Sequence, residues 1–417
     1  MVVVFYVILI FIFDVAQSSI VLLSRKRNLN NITLSMKKSH RTFIEHFKPE
    51  LKVYSPGRIN FIGEHTDYNQ GFVLPTAIDK KITFSFKRNN SPNVCNVLST
   101  NYNAFLEFDL DQVFPSKVSW ENYILGVVFE IQKISDKLEG FDCLIESELP
   151  EGSGISSSAA LECGLASGLN ELFDLGITKE ELVFLSQKAE HLFVGTKCGI
   201  MDQYASIMSR ADQVILLDCK TQQHRYINAS FDPYEIVLLN TNVTHSLADS
   251  EYNTRRKECE TVVDHVRNHH PEVDSLRDVT IALLNESRDD ISQVLYERAS
   301  YVIEENDRVL NAAGALEEGS LVRFGELMYA SHEGLRHKYG VSCNELDFLV
   351  DFSKNYPEVI GSRMMGGGFG GCTINLIHKD KVGDYIKKVS PIYKKRFGIT
   401  LNAFVTTASE GTLIDRL

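Results

Sequence analysis

Apolar and polar residues alternate between Lys52 and Phe86, and turn residues separate the alternating runs. A period of two along the chain predicts strands joined by loops. The pattern changes at Trp120, where WENYILGVVFEIQKI places apolar residues three to four positions apart and so predicts a helix with one apolar face. A strand, a helical segment and a short strand are predicted to follow, at residues 141–149, 159–193 and 213–218.

The second half of the chain alternates apolar runs with long charged segments of helical period. EIVLLN, CTINLIH and FVTTAS predict strands, and the intervening segments predict helices. This alternation favours a mixed α/β or α+β fold. The chain has 417 residues, enough for two domains of ordinary size, and we place a boundary near residues 209–212, giving domains at 36–210 and 211–417.

The first residues, MVVVFYVILIFIF, form an apolar run that the rest of the chain does not repeat. The run is shorter than the roughly 20 residues that span a bilayer as a helix, and it lacks the positive charges that precede a secretory signal. Met36 opens MKKSHRTFIEHFKPEL, a predicted amphipathic first helix. We therefore interpret residues 1–35 as a leader or upstream segment translated in frame, with an export or membrane signal as the alternative.

Net charge and cysteine content indicate what kind of partner the protein binds and where it is located. The formal net charge is −12, without a Lys/Arg cluster to offset it, which argues against a nucleic-acid partner because phosphate backbones select basic surfaces. The eight cysteines show no C-x-x-C pair and are expected to be reduced, mostly buried thiols. The sequence therefore predicts a cytoplasmic protein with small-molecule partners and neither a nucleic-acid nor a membrane partner.

The first chemical motif is SPGRINFIGEHTDYNQGFVLPTAID, residues 55–79, which concentrates charge between apolar runs. Arg58 only donates hydrogen bonds, Glu64 and Asp67 accept them when ionised, and His65 can do both. This mixture suits a ligand that carries many hydroxyl groups, such as a sugar.

The second motif, LPEGSGISSSAALECGLA, runs from a strand through a glycine-serine loop into a helix. Unpaired N–H groups at a helix N-terminus bind phosphate, and Ser156, Ser157 and Ser158 could add hydroxyl donors or a magnesium ligand. A capped helix after a flexible turn is the alternative reading. A Walker A loop is excluded because G-x-x-x-x-G-K-[ST] is absent.

Two further segments carry candidate chemistry. In AEHLFVGTKCGIMDQYAS, Glu190 and Asp202 could serve a metal ion and a reacting hydroxyl, as phosphoryl transfer requires, or could be solvated carboxylates at a helix start. RMMGGGFGGCTINLI formally contains G-x-G-x-x-G, but it leads into a strand, so a glycine turn closing over a ligand is the better interpretation. His332 and His337 lack the spacing of a zinc motif and are predicted to be surface histidines.

Taken together, these segments resemble a known family of kinases. GRINFIGEHTDYNQGFVLP is similar to the galactokinase signature, and PEGSGISSSAALE and GSRMMGGGFGGC resemble the phosphate loop and the third motif of the GHMP kinases. CGIMDQ and HSLADSEYNTRRKECE are also similar to galactokinase segments. The five segments run in family order from about Ser55 to Cys372, so the resemblance covers nearly all of the chain after Met36.

The resemblance implies a two-domain GHMP kinase fold, with an N-terminal ribosomal-protein-S5-like domain, a C-terminal ferredoxin-like α/β domain and the active site between them. It implies that ATP phosphorylates galactose at its C1 hydroxyl, with Mg²⁺ as cofactor, in the entry step of galactose catabolism, the Leloir pathway. We expect a monomer, although the sequence does not reveal the oligomeric state.

Roles for individual residues in the sugar pocket follow from the resemblance. Glu64, His65 and Asp67 would hold the galactose hydroxyls. Gly199 and Tyr252 would complete the pocket.

The resemblance also implies the catalytic and nucleotide-binding residues. Asp202 would abstract or orient the C1 hydroxyl proton, with Arg58 beside it. Ser157 and Glu190 would ligate magnesium, although which serine of the run does so stays open. Trp120, with a plain core role as the alternative, and Tyr123 would stack near the adenine. The phosphates would meet the loop residues Gly152, Ser153, Gly154, Ile155, Ser156, Ser157, Ser158 and Ala159.

Two positions depart from the family pattern, and two rival functions remain open. Met365 stands where threonine is common, and Lys197 where proline often precedes the CG pair, which affects local loop shape. A non-catalytic galactose sensor would be expected to lose residues of the serine loop, which is complete here. A kinase for N-acetylgalactosamine or another sugar is the second rival, and EHTDYNQG is more similar to the galactose form.

Overall fold

The computed structural model describes residues 43–417 except 46, 151 and 244–247, and excludes the side chains of 248–250. The interpretation of residues 1–35 and most of the helix predicted from Met36 lie outside the described residues. Within the described part, no helix is both long and apolar enough to cross a membrane.

The strands of the described part belong to three sheets. Their bounds are β1 Leu51–Asn60, β2 Phe72–Val73, β3 Pro75–Arg88, β4 Val94–Ser99, β5 Ala104–Asp109, β6 Phe141–Ser147, β7 Gln213–Asp218, β8 His224–Asn228, β9 Tyr234–Asn240, β10 Val359–Met364, β11 Cys372–His378, β12 Asn402–Thr406, β13 Ala408–Ser409 and β14 Leu413–Arg416.

The α-helices of the described part cover both halves of the chain. Their bounds are α1 Ser119–Gln132, α2 Ser157–Leu172, α3 Lys179–Ala189, α4 Met201–Met208, α5 Ala248–Arg267, α6 Ile281–Glu286, α7 Gln293–Glu317, α8 Leu321–Glu333, α9 Asn344–Ser353 and α10 Val382–Phe397. Short π-helical segments extend α3 and α8, at Glu190–Val194 and Gly334–Tyr339.

Most predicted elements are confirmed, and one is wrong. The predicted helical stretch 159–193 is two helices, α2 and α3, separated by residues 173–178. Asp174 and Gly176 have positive φ, which ends the first helix, because a right-handed helix has negative φ. Thr178 then forms a capping box with Glu181 that starts α3.

The first sheet has seven strands in the order β14-β1-β3-β6-β4-β5, with β13 also paired to β3. β1 and β3 are antiparallel, and β4 and β6 are parallel. Helix α2 packs against β1 and β3. It can do so closely because Gly164 and Gly168 face the rings of Phe84 and Phe86, where side chains would not fit.

The second sheet has four antiparallel strands in the order β10-β11-β9-β12, and the third joins β2, β7 and β8. Helices α8 and α9 pack on β10. The mixed fold class predicted from the sequence is confirmed. The division at residues 210 and 211 stays a prediction, and β13 and β14, from the end of the chain, pair with strands of the first sheet.

One histidine assignment is wrong. His332, predicted to be exposed, is fully buried, because it fills the space between α8, α9 and β10. Its Nδ1 accepts the N–H of Met364 at 3.2 Å, and its Nε2 lies 3.3 Å from Oδ1 of Asp347. The side chain of His337 is 65% exposed, as predicted.

Candidate active site

A cavity of about 450 Å³ opens where four parts of the fold converge. These are the segment after β1, the loop before α2, the start of α4 and the glycine-rich turn between β10 and β11. The sequence-predicted residues that line it are Arg58, Glu64, His65, Asp67, Tyr123, Gly152, Ser153, Gly154, Ile155, Ser156, Ser157, Ser158, Glu190, Asp202 and Tyr252.

Asp202, in the first turn of α4, lies at the junction of the polar side of the cavity and the glycine-serine loop. Arg58 donates to both of its carboxylate oxygens, from Nε at 2.7 Å and Nη2 at 3.0 Å. Ser156 Oγ donates to Oδ2, and Arg58 Nη1 donates to the carbonyl of Gly154 at 2.7 Å. The carboxylate is therefore held rigidly, and its side chain stays 23% exposed to the cavity.

Asp67 is a second carboxylate, 8% exposed, in the same cavity. Burial first, and then the charge of Asp202, raise the pKa of Asp67 to about 7. The main chain of Gly199 lies directly against this carboxylate. A Cβ atom on Gly199 would lie 2.0 Å from Asp67 Oδ2, so the close approach requires glycine.

Glu64 is almost fully buried, and its position depends on residues far along the chain. Its Oε1 accepts the N–H of Gly366 at 2.9 Å and Nη1 of Arg363 at 3.3 Å. Arg363 is itself fully buried and also donates to the carbonyl of Asn60 at 3.0 Å. Because Oε1 is occupied in this way, Oε2 is the oxygen of Glu64 left for a ligand in the cavity.

His65 is 3% exposed and has a positive φ of 63°, a conformation that non-glycine residues rarely adopt. Burial is the main cause that lowers the pKa of His65 to about 3, so the ring is neutral at physiological pH. Its ring packs against Tyr252, with centroids 5.3 Å apart.

The glycine-serine loop leads directly into α2. Ser156, before the first turn, is left-handed with φ 55° and gives no side-chain cap, since its hydroxyl is directed to Asp202. The N–H groups of the first turn have no partner within the helix, as at any helix N-terminus, and so suit an anion. Gly154 (φ +72°) packs against the carbonyl of Met365, which brings the glycine-rich turn onto the loop.

A second cavity, of about 210 Å³, adjoins the loop on its other side. Trp120, Tyr123 and Tyr102 contribute aromatic rings to its wall, and Ser157 and Ser158 line both cavities. The arrangement offers an aromatic pocket beside an anion site, which fits a base joined to phosphates.

Glu190 sits in the wall of the main cavity, 6% exposed. Gln203 Nε2 donates to its Oε2 at 2.8 Å, and the thiol of Cys198 lies 3.4 Å from the same oxygen. Among the described residues, no group of three or more His, Cys, Asp or Glu side chains could hold a metal ion alone. One carboxylate and a serine hydroxyl nevertheless fit Mg²⁺, which usually takes its remaining ligands from phosphates and water.

The sequence reasoning placed most of its residues at this site and missed several that support them. Ala159 is buried behind the loop, and Gly199 and Trp120 are outside the lining of the main cavity. Arg363 is the first residue of the segment RMMGGGFGGCTINLI, so its position in the sequence was the available signal. The other supporting residues are Tyr68, Glu162, Gln203 and Tyr339. The first three lie within the quoted motifs, where only their position was a signal, and Tyr339 lies outside all of them.

Comparison with known families gives three matches. The GHMP kinases N terminal domain matches residues 122–210, the galactokinase galactose-binding signature matches residues 41–88, and the GHMP kinases C terminal domain matches residues 312–391.

The chain matches several relatives over almost their whole length. The chain is 41% identical over 364 residues to a galactokinase of Thermosipho africanus, covering 87% of this chain and 99% of that one. It is 40% identical over 361 residues to a galactokinase of Thermotoga maritima, with the same coverage. A crystal structure of Lactococcus lactis galactokinase complexed with galactose matches with a TM-score of 0.85 and 34% identity, over 90% of this chain and 98% of that one. A mevalonate kinase matches at 18% identity and a TM-score of 0.57, which shows a shared fold.

Proposed function

The chain belongs to the galactokinase family of the GHMP kinases, and we propose that it transfers the γ-phosphoryl group of ATP to the C1 hydroxyl of galactose. The observation that carries the proposal is the position of Asp202. Its carboxylate, held by Arg58, faces the cavity where a carboxylate-rich wall meets the N-terminus of α2. The products are galactose 1-phosphate and ADP.

The two carboxylates and the histidine of the first motif are proposed to bind the sugar. Glu64 Oε2 accepts hydrogen bonds from sugar hydroxyls, and so does Asp67 in its ionised form, because ionised carboxylates only accept. Tyr252 and the main chain of Gly199 complete the pocket, since Tyr252 packs on His65 and Gly199 packs on Asp67.

Asp202 is proposed to orient the C1 hydroxyl and to accept its proton as the oxygen attacks the γ-phosphorus. The bond from that phosphorus to the β–γ bridging oxygen breaks, and ADP leaves. Arg58, held at Asp202, adds positive charge near the transferred group. Most of the rate enhancement in such transfers comes from positioning and charge stabilisation.

The nucleotide is proposed to span both cavities. Its adenine lies beside Trp120 and Tyr123 in the second cavity, and its phosphates meet the loop 152–159 at the start of α2. Glu190 and the hydroxyl of Ser157 are proposed to hold Mg²⁺, which neutralises charge on the phosphates. We also propose a cytoplasmic monomer, in keeping with eight free cysteines in the described part of the chain and with the use of ATP.

A phosphorylation assay against a panel of hexoses tests the proposal. Labelled ATP is supplied with galactose, N-acetylgalactosamine, glucose and mannose, and labelled sugar phosphate is measured. We expect galactose to be the preferred acceptor. Preference for N-acetylgalactosamine would support the rival sugar kinase, and galactose binding without turnover would support the sensor.

Asp202→Asn is the matched variant for that assay. The amide keeps the shape of the side chain but cannot accept the proton, so we expect kcat to fall by about 10²- to 10⁴-fold. Calorimetry should show that galactose still binds. Near-normal turnover by this variant would contradict the role of Asp202.

A further inference from the structure

Both ring nitrogens of His65 have partners within the protein. Nδ1 lies 2.8 Å from the hydroxyl oxygen of Tyr68, and Nε2 lies 3.2 Å from the carbonyl oxygen of Gly367. Tyr68 lies in the first motif, three residues after His65, whereas Gly367 belongs to the glycine-rich turn about 300 residues later in the chain. His65 therefore joins two distant segments that line the same cavity.

The direction of each hydrogen bond follows from counting protons. A carbonyl oxygen only accepts, so Nε2 of His65 carries the proton. The ring is neutral and has one N–H, so Nδ1 is bare and Tyr68 must donate to it. The Tyr68 hydroxyl lies 2.6 Å from that of Tyr339, and its single proton is already used, so Tyr339 donates to Tyr68.

The same argument extends one step further into the core. The Tyr339 hydroxyl lies 3.3 Å from Sγ of Cys259, and this thiol becomes the donor to Tyr339. Cys259 and Tyr339 are fully buried. Burial raises the pKa of the Cys259 thiol to about 11, and burial raises the pKa of Tyr339 well above its usual value, so both groups keep their protons at neutral pH.

The chain of donors crosses three elements. Cys259 lies in α5, Tyr339 ends the π-helical segment after α8, and Tyr68 lies in the turn after β1. The rings of Tyr68 and Tyr339 also pack on His65, with centroids 5.8 Å and 4.9 Å away. A side chain with two fixed partners and ring contacts has little freedom to rotate.

We propose that Tyr68 and Tyr339 are positioning residues for sugar binding, which fix the neutral Nε2–H tautomer of His65. His65 then donates its one N–H to the carbonyl of Gly367 and offers no acceptor to the cavity, so a sugar oxygen beside Nε2 must share that N–H with the carbonyl. The identity of the sugar in this inference rests on the proposed function. The tautomer of His65 does not depend on it.

Tyr68→Phe tests the proposal because it removes one hydroxyl and keeps the ring. Nδ1 of His65 is left buried without a donor, and an unsatisfied buried group of this kind weakens binding by about 5- to 150-fold. We expect the KM for galactose to rise by a factor in that range, with kcat and the KM for ATP changed by less than about threefold. Tyr339→Phe should change the KM for galactose in the same direction by a smaller factor.

Tyr329→Phe is the matched control. Its hydroxyl also lies within hydrogen-bonding distance of a protein group, Ser353 Oγ at 2.9 Å, on α8 and α9 away from the cavity. We expect normal kinetic constants for this variant. If its KM for galactose rose as much as that of Tyr68→Phe, the effect would be one of stability and the proposal would be wrong.

Nitrogen NMR on protein labelled with ¹⁵N-histidine reads the tautomer directly, without activity. A His65→Gln variant assigns the signals. We expect a bare Nδ1 and a protonated Nε2 in the wild-type protein near neutral pH, and a shifted Nδ1 signal in Tyr68→Phe or, should that variant not fold, in Tyr339→Phe. A protonated Nδ1 in the wild type would overturn the inference.

Different results would contradict the proposed function and the proposed role of Tyr68 and Tyr339. If the protein neither binds nor phosphorylates galactose but shows the expected tautomer, the proposed function fails and the fixed tautomer stands. If it phosphorylates galactose while Tyr68→Phe leaves both the KM and the His65 signals unchanged, only the present inference fails.

Discussion

Asp67, a proposed sugar ligand, makes the stability of the ligand-free protein depend on pH. Its carboxylate is buried near Asp202, Glu64 and Arg58, and burial followed by the Asp202 charge raises its pKa to about 7 from a usual value near 3.8. A raised pKa means that the folded state favours the protonated form. The stability that this group contributes is therefore complete below about pH 4 and is lost as the pH rises towards 7.

Asp67→Asn removes that titration and keeps the size of the side chain. We expect the ligand-free variant to gain stability relative to wild type as the pH rises, by about 2–4 kcal/mol between pH 4 and pH 8. Urea unfolding of both proteins at several pH values measures the difference. Parallel stability curves for the two proteins would show that Asp67 is not held in a protonated state by the fold.

Gly199→Ala tests the close approach of main chain to carboxylate. The new Cβ would lie 2.0 Å from Oδ2 and 2.7 Å from Cβ of Asp67, so the carboxylate cannot escape by rotating its end alone. Overpacking of this kind costs about 1–3 kcal/mol, and we expect the KM for galactose to rise by about 5- to 150-fold. Steady-state kinetics with each substrate varied in turn measures this, and an equal rise in the KM for ATP would contradict a role confined to the sugar side.

The sequence predicted which residues carry charge at the site but not how they are held. Arg58, Glu64, His65 and Asp67 fall within ten positions, so local pattern was enough to find them. Arg363 and Tyr339 are close to that motif only after folding, about 300 residues along the chain. A local pattern carries no information on contacts between segments so far apart in the chain.

Helix α2 links the core of the first sheet to the glycine-serine loop, the proposed phosphate site. Gly164 and Gly168 face Phe84 and Phe86 of β3, and the N-terminus of the same helix begins at the loop. The packing of α2 on the sheet therefore determines the position of its first turn relative to Asp202.

Gly164→Ala should show this coupling. The added Cβ would lie 2.1 Å from Cε2 of Phe84, a buried ring that has little room to move. We expect a loss of about 1–3 kcal/mol in stability and a rise in the KM for ATP that exceeds the rise for galactose. Thermal unfolding and kinetics measure the two effects.

Gly314→Ala is the control for that experiment. Gly314 lies within helix α7, and apart from the backbone of its own helix no atom of the described residues lies within 4 Å of a Cβ placed there. We expect unchanged kinetics and a stability equal to or above that of wild type, because alanine favours helices over glycine. Equal kinetic effects of Gly164→Ala and Gly314→Ala would show that the packing of α2 on the sheet does not control the loop.

Hydrophobic periodicity predicted the type of most elements correctly. It missed the short loop that divides the predicted helix 159–193 into two. Residues 173–178 interrupt a stretch that remains apolar at helical spacing, so the pattern alone predicted one helix. The interruption depends on Gly176 in the left-handed region and on the capping box of Thr178. Glycine followed by threonine and a glutamate three residues later was a signal available in the sequence.

On the scale of the whole molecule, the site is assembled from both ends of the described chain. Gly154 and Gly366 approach so closely that a Cβ on Gly366 would lie 3.0 Å from the carbonyl oxygen of Gly154. Glu64 and Arg58 connect the same two turns through Gly366 and Gly154. The segments proposed to bind sugar and phosphate therefore contact each other directly. The order of motifs in the sequence implied this contact only through the resemblance.

A protein spanning residues 36–417 tests whether the first 35 residues contribute to activity. Every residue assigned to the site follows Met36, and the galactose-binding signature begins at residue 41. We expect this protein to have the kcat and KM values of the full chain and to aggregate less, because it lacks the apolar run MVVVFYVILIFIF. Mass spectrometry of the protein from its own cells complements the kinetics, since peptides from residues 1–35 would contradict Met36 as the working start. A mature terminus near Ser18 would instead establish a cleaved signal, and lower activity of the shortened protein would show that the segment supports the fold.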